Sequence, residues 1–153
     1  PETTTICTVP WTRNERSAVV GAKTTSYAEN VVALHHAHQR GASEAIFANT
    51  RGELCEGTGS NIFVVIDGMI LTPRLESGCL AGITRELVLE WTDAQEAHLD
   101  IDMLGTADEI FLTSSTRDVH AVTAADDRHL DAGPVTARIR EIFRQRSSAD
   151  LDP

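Results

Sequence analysis

Lysine is nearly absent from this chain, and its scarcity limits the partners that the chain can bind. Lys23 is the only lysine, no run of basic residues occurs, and the formal net charge is −10. Nucleic-acid phosphates are bound by basic patches, so we expect no nucleic-acid partner. Lys23 itself is either a chance occurrence in a chain that prefers arginine or the one amine that the chemistry requires.

Long apolar runs and paired cysteines are also missing. No stretch approaches the roughly 20 apolar residues that a membrane-spanning helix needs, and the first residues do not resemble a signal peptide. Cys7, Cys55 and Cys79 contain no C-x-x-C pair. We therefore expect no membrane partner, a cytoplasmic location, and cysteines that pack as small apolar residues.

A metal site is not expected either. His35, His36 and His38 lie close together, but no second group of ligands with recognisable spacing accompanies them. These histidines are better explained as residues of an exposed or half-buried helix.

The hydrophobic pattern predicts one mixed α/β (α+β) domain with several antiparallel hairpins. The Asp67-Gly68 pair between two apolar runs is a strong hairpin signal. Strands are expected at 3–8, 44–49, 61–66, 69–72, 95–101, 109–115 and 119–124, and helices at about 27–39, 84–93 and 135–146.

Each predicted helix has an apolar face that should turn towards the core. In the first helix this face consists of Tyr27, Val31, Val32 and Leu34. In the second helix it consists of Ile83, Leu87 and Trp91, and in the third of Ile139, Ile142 and Phe143.

The segment GCLAGITRE, residues 78–86, resembles the beginning of a helix that could hold an anion. Its glycines let the backbone bend tightly, and Thr84 could cap the helix. Free N–H groups and a partial positive charge at a helix N-terminus attract phosphate groups. The alternative is an ordinary capped helix.

Two further segments could approach a ligand. Residues 113–116 place four hydroxyl groups at the end of an apolar strand, where the default explanation is a polar strand exit. GTGSNI, residues 57–62, is either a turn that admits a ligand closely or only a turn. It lacks the third glycine of a dinucleotide-binding fingerprint, and no P-loop lysine motif occurs.

Together these features match the needs of pyridoxal phosphate (PLP), which requires a lysine amine, a carboxylate, a hydroxyl donor and N–H groups around its phosphate. Four segments then occur in a recognisable order: RNERSAVVGAKTTSYAEN, ELCEGTGSNIFVVIDGMILTP, SGCLAGITRELVLE and ADEIFLTSSTRDVHAV. Over residues 12–146 the chain resembles the class IV (fold type IV) aminotransferases. This family includes branched-chain aminotransferases, D-amino-acid aminotransferases and 4-amino-4-deoxychorismate lyases.

The resemblance implies how individual residues would hold the ring of the cofactor. Lys23 would be the Schiff-base lysine and the general base, Tyr27 the donor to the phenolic oxygen, and Glu56 the partner of the pyridine nitrogen. Leu80 would pack on one face of the ring. Tyr27 could instead be only the first apolar residue of its helix, and Leu80 could be plain core.

The resemblance also implies a set of phosphate contacts. The helix beginning at Gly82, Ile83 and Thr84 would supply N–H and hydroxyl groups, and Ser114 or Ser115 would approach from another side; the choice between the two serines stays open. Ser60 and Asn61 would lie nearby.

The same resemblance suggests a domain organisation and a reaction. Residues 1–146 would form the C-terminal, PLP-binding large domain, residues 147–153 a frayed tail, and a small N-terminal domain would be absent from this chain. A homodimer and a small amino substrate are implied.

Three segments favour the lyase, which releases pyruvate and p-aminobenzoate: the RN pair before Lys23, KTTSYAEN, and TPRLESGCLAGITR. The alternatives are a branched-chain or D-amino-acid aminotransferase, or an inactive fragment that only binds the cofactor.

Overall fold

A computed structural model describes residues 2–149, which form nine strands and three α-helices. Two short 3-10 helices lie at Leu75–Ser77 and Ile101–Gly105. The strands are β1 (Thr3–Arg13), β2 (Glu44–Asn49), β3 (Leu54–Gly57), β4 (Asn61–Ile66), β5 (Met69–Pro73), β6 (Gln95–Ala97), β7 (Glu109–Ser114), β8 (Asp118–Ala125) and β9 (Arg128–His129). The helices are α1 (Ala28–Gln39), α2 (Ile83–Trp91) and α3 (Pro134–Ala149). Among the described helices, none is both long and apolar enough to cross a membrane.

All nine strands belong to one mixed sheet that curls on itself. The order is β3-β2-β1-β8-β7-β4-β5-β6, with β9 beside β8. β1 runs parallel to both β2 and β8, whereas β4 is antiparallel to β5 and β7. The start of β3 meets the chain that follows β6, because the Leu54 N–H donates to the Leu99 carbonyl at 2.8 Å. The predicted mixed α/β fold with hairpins and flanking helices is therefore confirmed.

Alternation along the central strands divides the core into layers. Ile62 and Val64 of β4 face the inside of the curl, where the largest apolar cluster lies. Phe63 and Val65 face outwards and pack under α2 and α3. The ring of Phe63 stacks on that of Phe111, with centroids 4.7 Å apart. Residues on opposite faces of a strand alternate with period two, so one apolar run supplies both layers.

The first strand is longer than predicted. The expectation that β1 ends before Pro10 was wrong, because the strand continues to Arg13. Its register against β2 shifts between Thr8 and Thr12. Such an irregularity accommodates a proline, which has no N–H to donate to the ladder. The extension matters because it carries Arg13 to the site described below.

The predicted buried face of α1 was also wrong. The helix buries Ala33 and Ala37, while the side chains of Val31 and Val32 are 64% and 53% exposed. The alanines pack against a cluster of β1 and β2 side chains that includes Phe47. Small side chains let the helix approach the sheet closely, and the larger valines remain outside.

The other helices differ from prediction at their ends. α2 begins at Ile83, which is 70% exposed rather than buried, and α2 instead buries Thr84, Arg85 and Val88. α3 extends to Ala149, beyond the predicted end at Arg146. Of the predicted frayed tail, 147–149 is helical and 150–153 lies outside the described residues. The short strands β3 and β9 were not predicted, and β6 covers only part of the predicted strand 95–101.

A buried carboxylate fixes the beginning of α3 to the sheet. Glu109 of β7 accepts hydrogen bonds from the backbone N–H groups of Val135 and Thr136, at 3.0 and 2.7 Å. These N–H groups have no partner within the helix, and negative charge is favourable at a helix N-terminus.

Replacement of Glu109 by alanine should therefore lower the free energy of unfolding by about 1.5–3 kcal/mol, measured by urea denaturation.

The matched control is Glu90→Ala, because Glu90 is exposed and its side chain makes no hydrogen bond or ion pair within residues 2–149. An equal, small effect of both substitutions would contradict the capping role of Glu109.

Candidate active site

One cavity of about 580 Å³ opens where the β1–α1 loop, the β3–β4 turn, the end of β7 and the beginning of α2 meet. All eleven site residues predicted from the sequence line this cavity, although their roles in it remain predictions. They are Lys23, Tyr27, Glu56, Ser60, Asn61, Leu80, Gly82, Ile83, Thr84, Ser114 and Ser115.

Glu56, near the end of β3, is held at both carboxylate oxygens. Oε2 accepts from the Leu80 N–H at 2.8 Å, and Oε1 accepts from Arg13 Nε at 3.1 Å. Burial raises the pKa of Glu56 above its ordinary value, while the Leu80 N–H and the Arg13 guanidinium act in the opposite direction. The site thus contains a largely buried carboxyl group whose position is fixed.

The backbone of Leu80 is also held at its carbonyl group, by Asn61. Asn61 Nδ2 donates to the Leu80 carbonyl at 2.8 Å. A Cβ atom at Gly82 would lie 2.2 Å from Asn61 Oδ1, so a side chain at position 82 would displace Asn61. The glycine in the LAG sequence is therefore required by the close approach of this amide.

The first turn of α2 faces the cavity without a side-chain cap among the described residues. Gly82 is the N-cap, and the first helical bond runs from the Glu86 N–H to the Gly82 carbonyl. The prediction that Thr84 caps this helix was wrong, because Thr84 lies inside the helix and is buried. An uncapped helix N-terminus leaves backbone N–H groups that can bind an anion.

A buried hydroxyl group lies beside this helix N-terminus. Thr113 of β7 also lines the cavity, is 1% exposed, and its Oγ1 has no hydrogen-bond partner within residues 2–149. Buried polar groups normally have partners, so this hydroxyl is suited to a ligand or a bound water. Ser114 is half-buried and Ser115 exposed, and both reach the same cavity.

Lys23 and Tyr27 form part of the cavity wall on the chain that leads into α1. Lys23 is exposed and makes no hydrogen bond or ion pair with any described residue, so its amine is available in the cavity. Tyr27 is the N-cap residue of α1 and is 42% exposed. The structure therefore brings the amine, the phenol and the Glu56 carboxyl group to one space.

The β3–β4 turn is fixed by a buried residue that was not predicted. Glu44 of β2 accepts from the backbone N–H of Thr58 at 3.0 Å, from the Thr58 hydroxyl, and from the Ser60 hydroxyl at 3.1 Å. Ser60 therefore directs its hydroxyl at Glu44. A Cβ atom at Gly57 would lie 2.4 Å from Ser60 Oγ, which explains the first glycine of this turn.

The loop that carries Lys23 is attached to the rest of the domain by Glu15. Its carboxylate accepts from the Thr50 N–H at 3.0 Å and from the Thr50 hydroxyl at 2.5 Å. Gly78 has φ +97° and packs against Glu15, whose Cα would lie 3.1 Å from an added Cβ. An acidic residue inside an apparent loop was the only sequence signal for this contact.

The comparisons with known proteins agree with the fold. The family model for amino-transferase class IV matches residues 1–125. A branched-chain-amino-acid aminotransferase from Pseudomonas aeruginosa is 33% identical over 126 residues, which is 77% of this chain and 41% of that enzyme. This chain therefore belongs to the class IV aminotransferases, and it spans less than half the length of this relative.

Two solved structures extend the comparison. An aminotransferase from Brucella abortus bound to PLP has a TM-score of 0.90 and 30% identity, over 97% of this chain and 55% of that one. A Legionella pneumophila protein, provisionally assigned as a 4-amino-4-deoxychorismate lyase, has a TM-score of 0.88 and 27% identity, over 94% and 56%.

PLP is the cofactor of this family, and the cavity has the groups that it needs. The uncapped turn of α2 and the unpaired Thr113 hydroxyl suit a phosphate. The Glu56 carboxyl group suits a pyridine nitrogen, and the Lys23 amine suits an aldehyde.

The Glu15 contact generates a pH-dependent prediction. The hydrogen bonds from Thr50 lower the pKa of Glu15 to about 2. A carboxyl group whose pKa is lowered by folding stabilises the protein above its unfolded pKa, near 4.5, and this contribution is lost as the pH falls towards 2. Glu15→Gln should therefore lower the melting temperature at pH 7, and the difference from wild type should shrink between pH 4.5 and 2.

Glu90→Gln is the control, since its exposed side chain has no partner among the described residues. A wild-type minus Glu15→Gln difference that stays constant down to pH 2 would contradict the prediction.

Proposed function

We propose that this chain forms the PLP-binding part of a class IV enzyme that acts on a small amino substrate, and that Lys23 binds the cofactor covalently. One observation carries the proposal: a single cavity joins an unpaired lysine, a fixed buried carboxyl group and an uncapped helix N-terminus. These groups match the aldehyde, the ring nitrogen and the phosphate of PLP.

Each residue has a distinct part in the proposed chemistry. When bound, PLP supplies an electron-withdrawing ring next to the substrate carbon that bears nitrogen. Glu56 keeps a proton on the ring nitrogen, and Lys23 Nζ takes the proton from the substrate carbon. The N–H groups of Ile83 and Thr84 hold the phosphate, with Thr113 and Ser114 or Ser115 beside them.

For the reaction itself, we propose cleavage of 4-amino-4-deoxychorismate to pyruvate and p-aminobenzoate. The KTTSYAEN and TPRLESGCLAGITR segments support it, and so does the fold similarity to the Legionella protein. Branched-chain transamination is the second candidate, favoured by the higher identity of the Pseudomonas enzyme, 33% against 27%.

We also propose that the active form is a homodimer. Apolar side chains remain exposed on α1 and on the neighbouring loop, which supports a covering partner: Val19, Val20, Val31 and Val32 are all at least 44% exposed.

The covalent role of Lys23 can be tested without an activity assay. After incubation with PLP and reduction by borohydride, mass spectrometry of proteolytic peptides should place the cofactor on Lys23. Because Lys23 is the only lysine of this chain, no other lysine side chain in it can give that label. Lys23→Ala should lose the label and the visible absorption band of the bound cofactor.

The control is Arg16→Ala, another exposed basic residue on the same loop, which should keep both signals. Equal labelling of the wild type and Lys23→Ala would contradict the proposal, and absence of any label would favour a domain that has lost its chemistry.

The two candidate reactions are separated by their products. The protein should release p-aminobenzoate and pyruvate from 4-amino-4-deoxychorismate, as measured by fluorescence and by a coupled lactate dehydrogenase assay. Glutamate formed from leucine and 2-oxoglutarate, with no p-aminobenzoate, would instead support the transaminase. Lys23→Ala should reduce either rate by at least about 10³-fold, since it removes the general base as well as the cofactor bond.

A further inference from the structure

Arg13 is a charged residue of the cavity wall that has no part in the proposed chemistry. It lies at the end of β1, and its side chain is only 16% exposed. The guanidinium carbon lies 4.0 Å from the centre of the Phe47 ring, which covers one face of the group. An arginine packed this way has a fixed orientation.

All three guanidinium nitrogens of Arg13 are engaged, each with a different residue. Nε donates to Glu56 Oε1 at 3.1 Å, Nη1 to Glu29 Oε2 at 2.8 Å, and Nη2 to Asn30 Oδ1 at 2.5 Å. Three of the five N–H groups are used in this way, and each nitrogen already has an acceptor within the protein. Arg13 is therefore suited to hold other residues of the site rather than to bind a substrate.

The contacts of Arg13 connect the two walls of the cavity. Glu29 and Asn30 belong to the first turn of α1, directly after Tyr27. Asn30 also donates from Nδ2 to the Thr58 carbonyl in the β3–β4 turn, at 3.0 Å. The wall that carries Tyr27 and the strand that carries Glu56 are thus joined through one guanidinium group.

We infer that Arg13 is a positioning residue, which keeps Glu56 as a carboxylate at a fixed place and ties it to the first turn of α1. This inference rests on the proposed function, because it assumes that Glu56 faces the ring nitrogen of PLP. A buried carboxyl group without a paired cation would tend to take up a proton. A protonated Glu56 could no longer act as the anionic partner of a protonated ring.

Among the described residues, Arg13 is the cation that interacts directly with Glu56, while Lys23 lines the same cavity on the chain that leads into α1. Three other titratable groups lie close enough to Glu56 to interact with it electrostatically. They are Glu44 on β2, Cys55 on β3 and Cys79 in the loop before α2. Each of these groups is neutral or negative. Arg13 is thus the positive group that opposes the burial of Glu56, together with the Leu80 N–H.

The test compares Arg13→Gln and Arg13→Lys with Arg16→Gln, a matched control whose exposed side chain has no partner within residues 2–149. The first readout is the carbon-13 NMR titration of the Glu56 carboxyl group in the cofactor-free protein. The second is the dissociation constant of PLP, measured by absorption.

Arg13→Gln should move the Glu56 titration to higher pH and weaken PLP binding by about tenfold or more, since a charge-assisted hydrogen bond is lost. Arg13→Lys keeps the charge but not the three directed donors, so it should restore the titration more fully than the affinity. Arg16→Gln should match the wild type in both readouts.

Arg13 variants that match Arg16→Gln in both readouts would overturn the inference, and Arg13→Lys alone suffices for this comparison if Arg13→Gln does not fold. Failure of the proposed function looks different. In that case the wild type would not bind PLP, whereas the Glu56 titration would still report whether Arg13 acts on it.

Discussion

The site depends on the backbone of Leu80, whose N–H and carbonyl groups, in two consecutive peptide units, are both held by side chains. Its N–H donates to Glu56 and its carbonyl accepts from Asn61, both at 2.8 Å. These two bonds attach the loop before α2 to β3 and β4. They place the N-terminus of α2 beside a buried carboxyl group, and the absence of a side chain at Gly82 permits the approach. A ligand with both an anionic group and a basic ring nitrogen fits such an arrangement.

The charged side chains next to the Leu80 backbone are buried, and their hydrogen-bond partners offset the free-energy cost of removing them from water. Glu44 and Glu56 each accept at least two hydrogen bonds, and Arg13 donates three. A buried charge without such partners would cost several kcal/mol. Because the partners come from β3, the β3–β4 turn, the loop before α2 and α1, the bonds that satisfy the charges also fix the walls of the cavity relative to one another.

Local sequence signals predicted part of the fold. The Asp67-Gly68 turn defined the β4–β5 hairpin, and both residues have positive φ in the structure. The buried face of α1 could not be read from its apolar residues, because the close packing of Ala33 and Ala37 on the sheet decides it. The roles of Arg13, Glu15 and Glu44 also depend on contacts that the local sequence does not contain. Their partners lie 14–43 residues away in the sequence, so these three residues were missed. The eleven site residues were predicted from the order of the motifs. That order identifies the residues, but it does not show which contacts hold them in position.

The central claim is that this cavity holds PLP with its phosphate at α2 and its ring nitrogen at Glu56. A crystal structure of the protein with the bound cofactor tests it most directly. We predict continuous electron density from Lys23 Nζ to the cofactor, hydrogen bonds from the Ile83 and Thr84 N–H groups to the phosphate, and a Glu56 oxygen within hydrogen-bond distance of the ring nitrogen. A cofactor bound elsewhere, or a phosphate away from α2, would contradict this assignment.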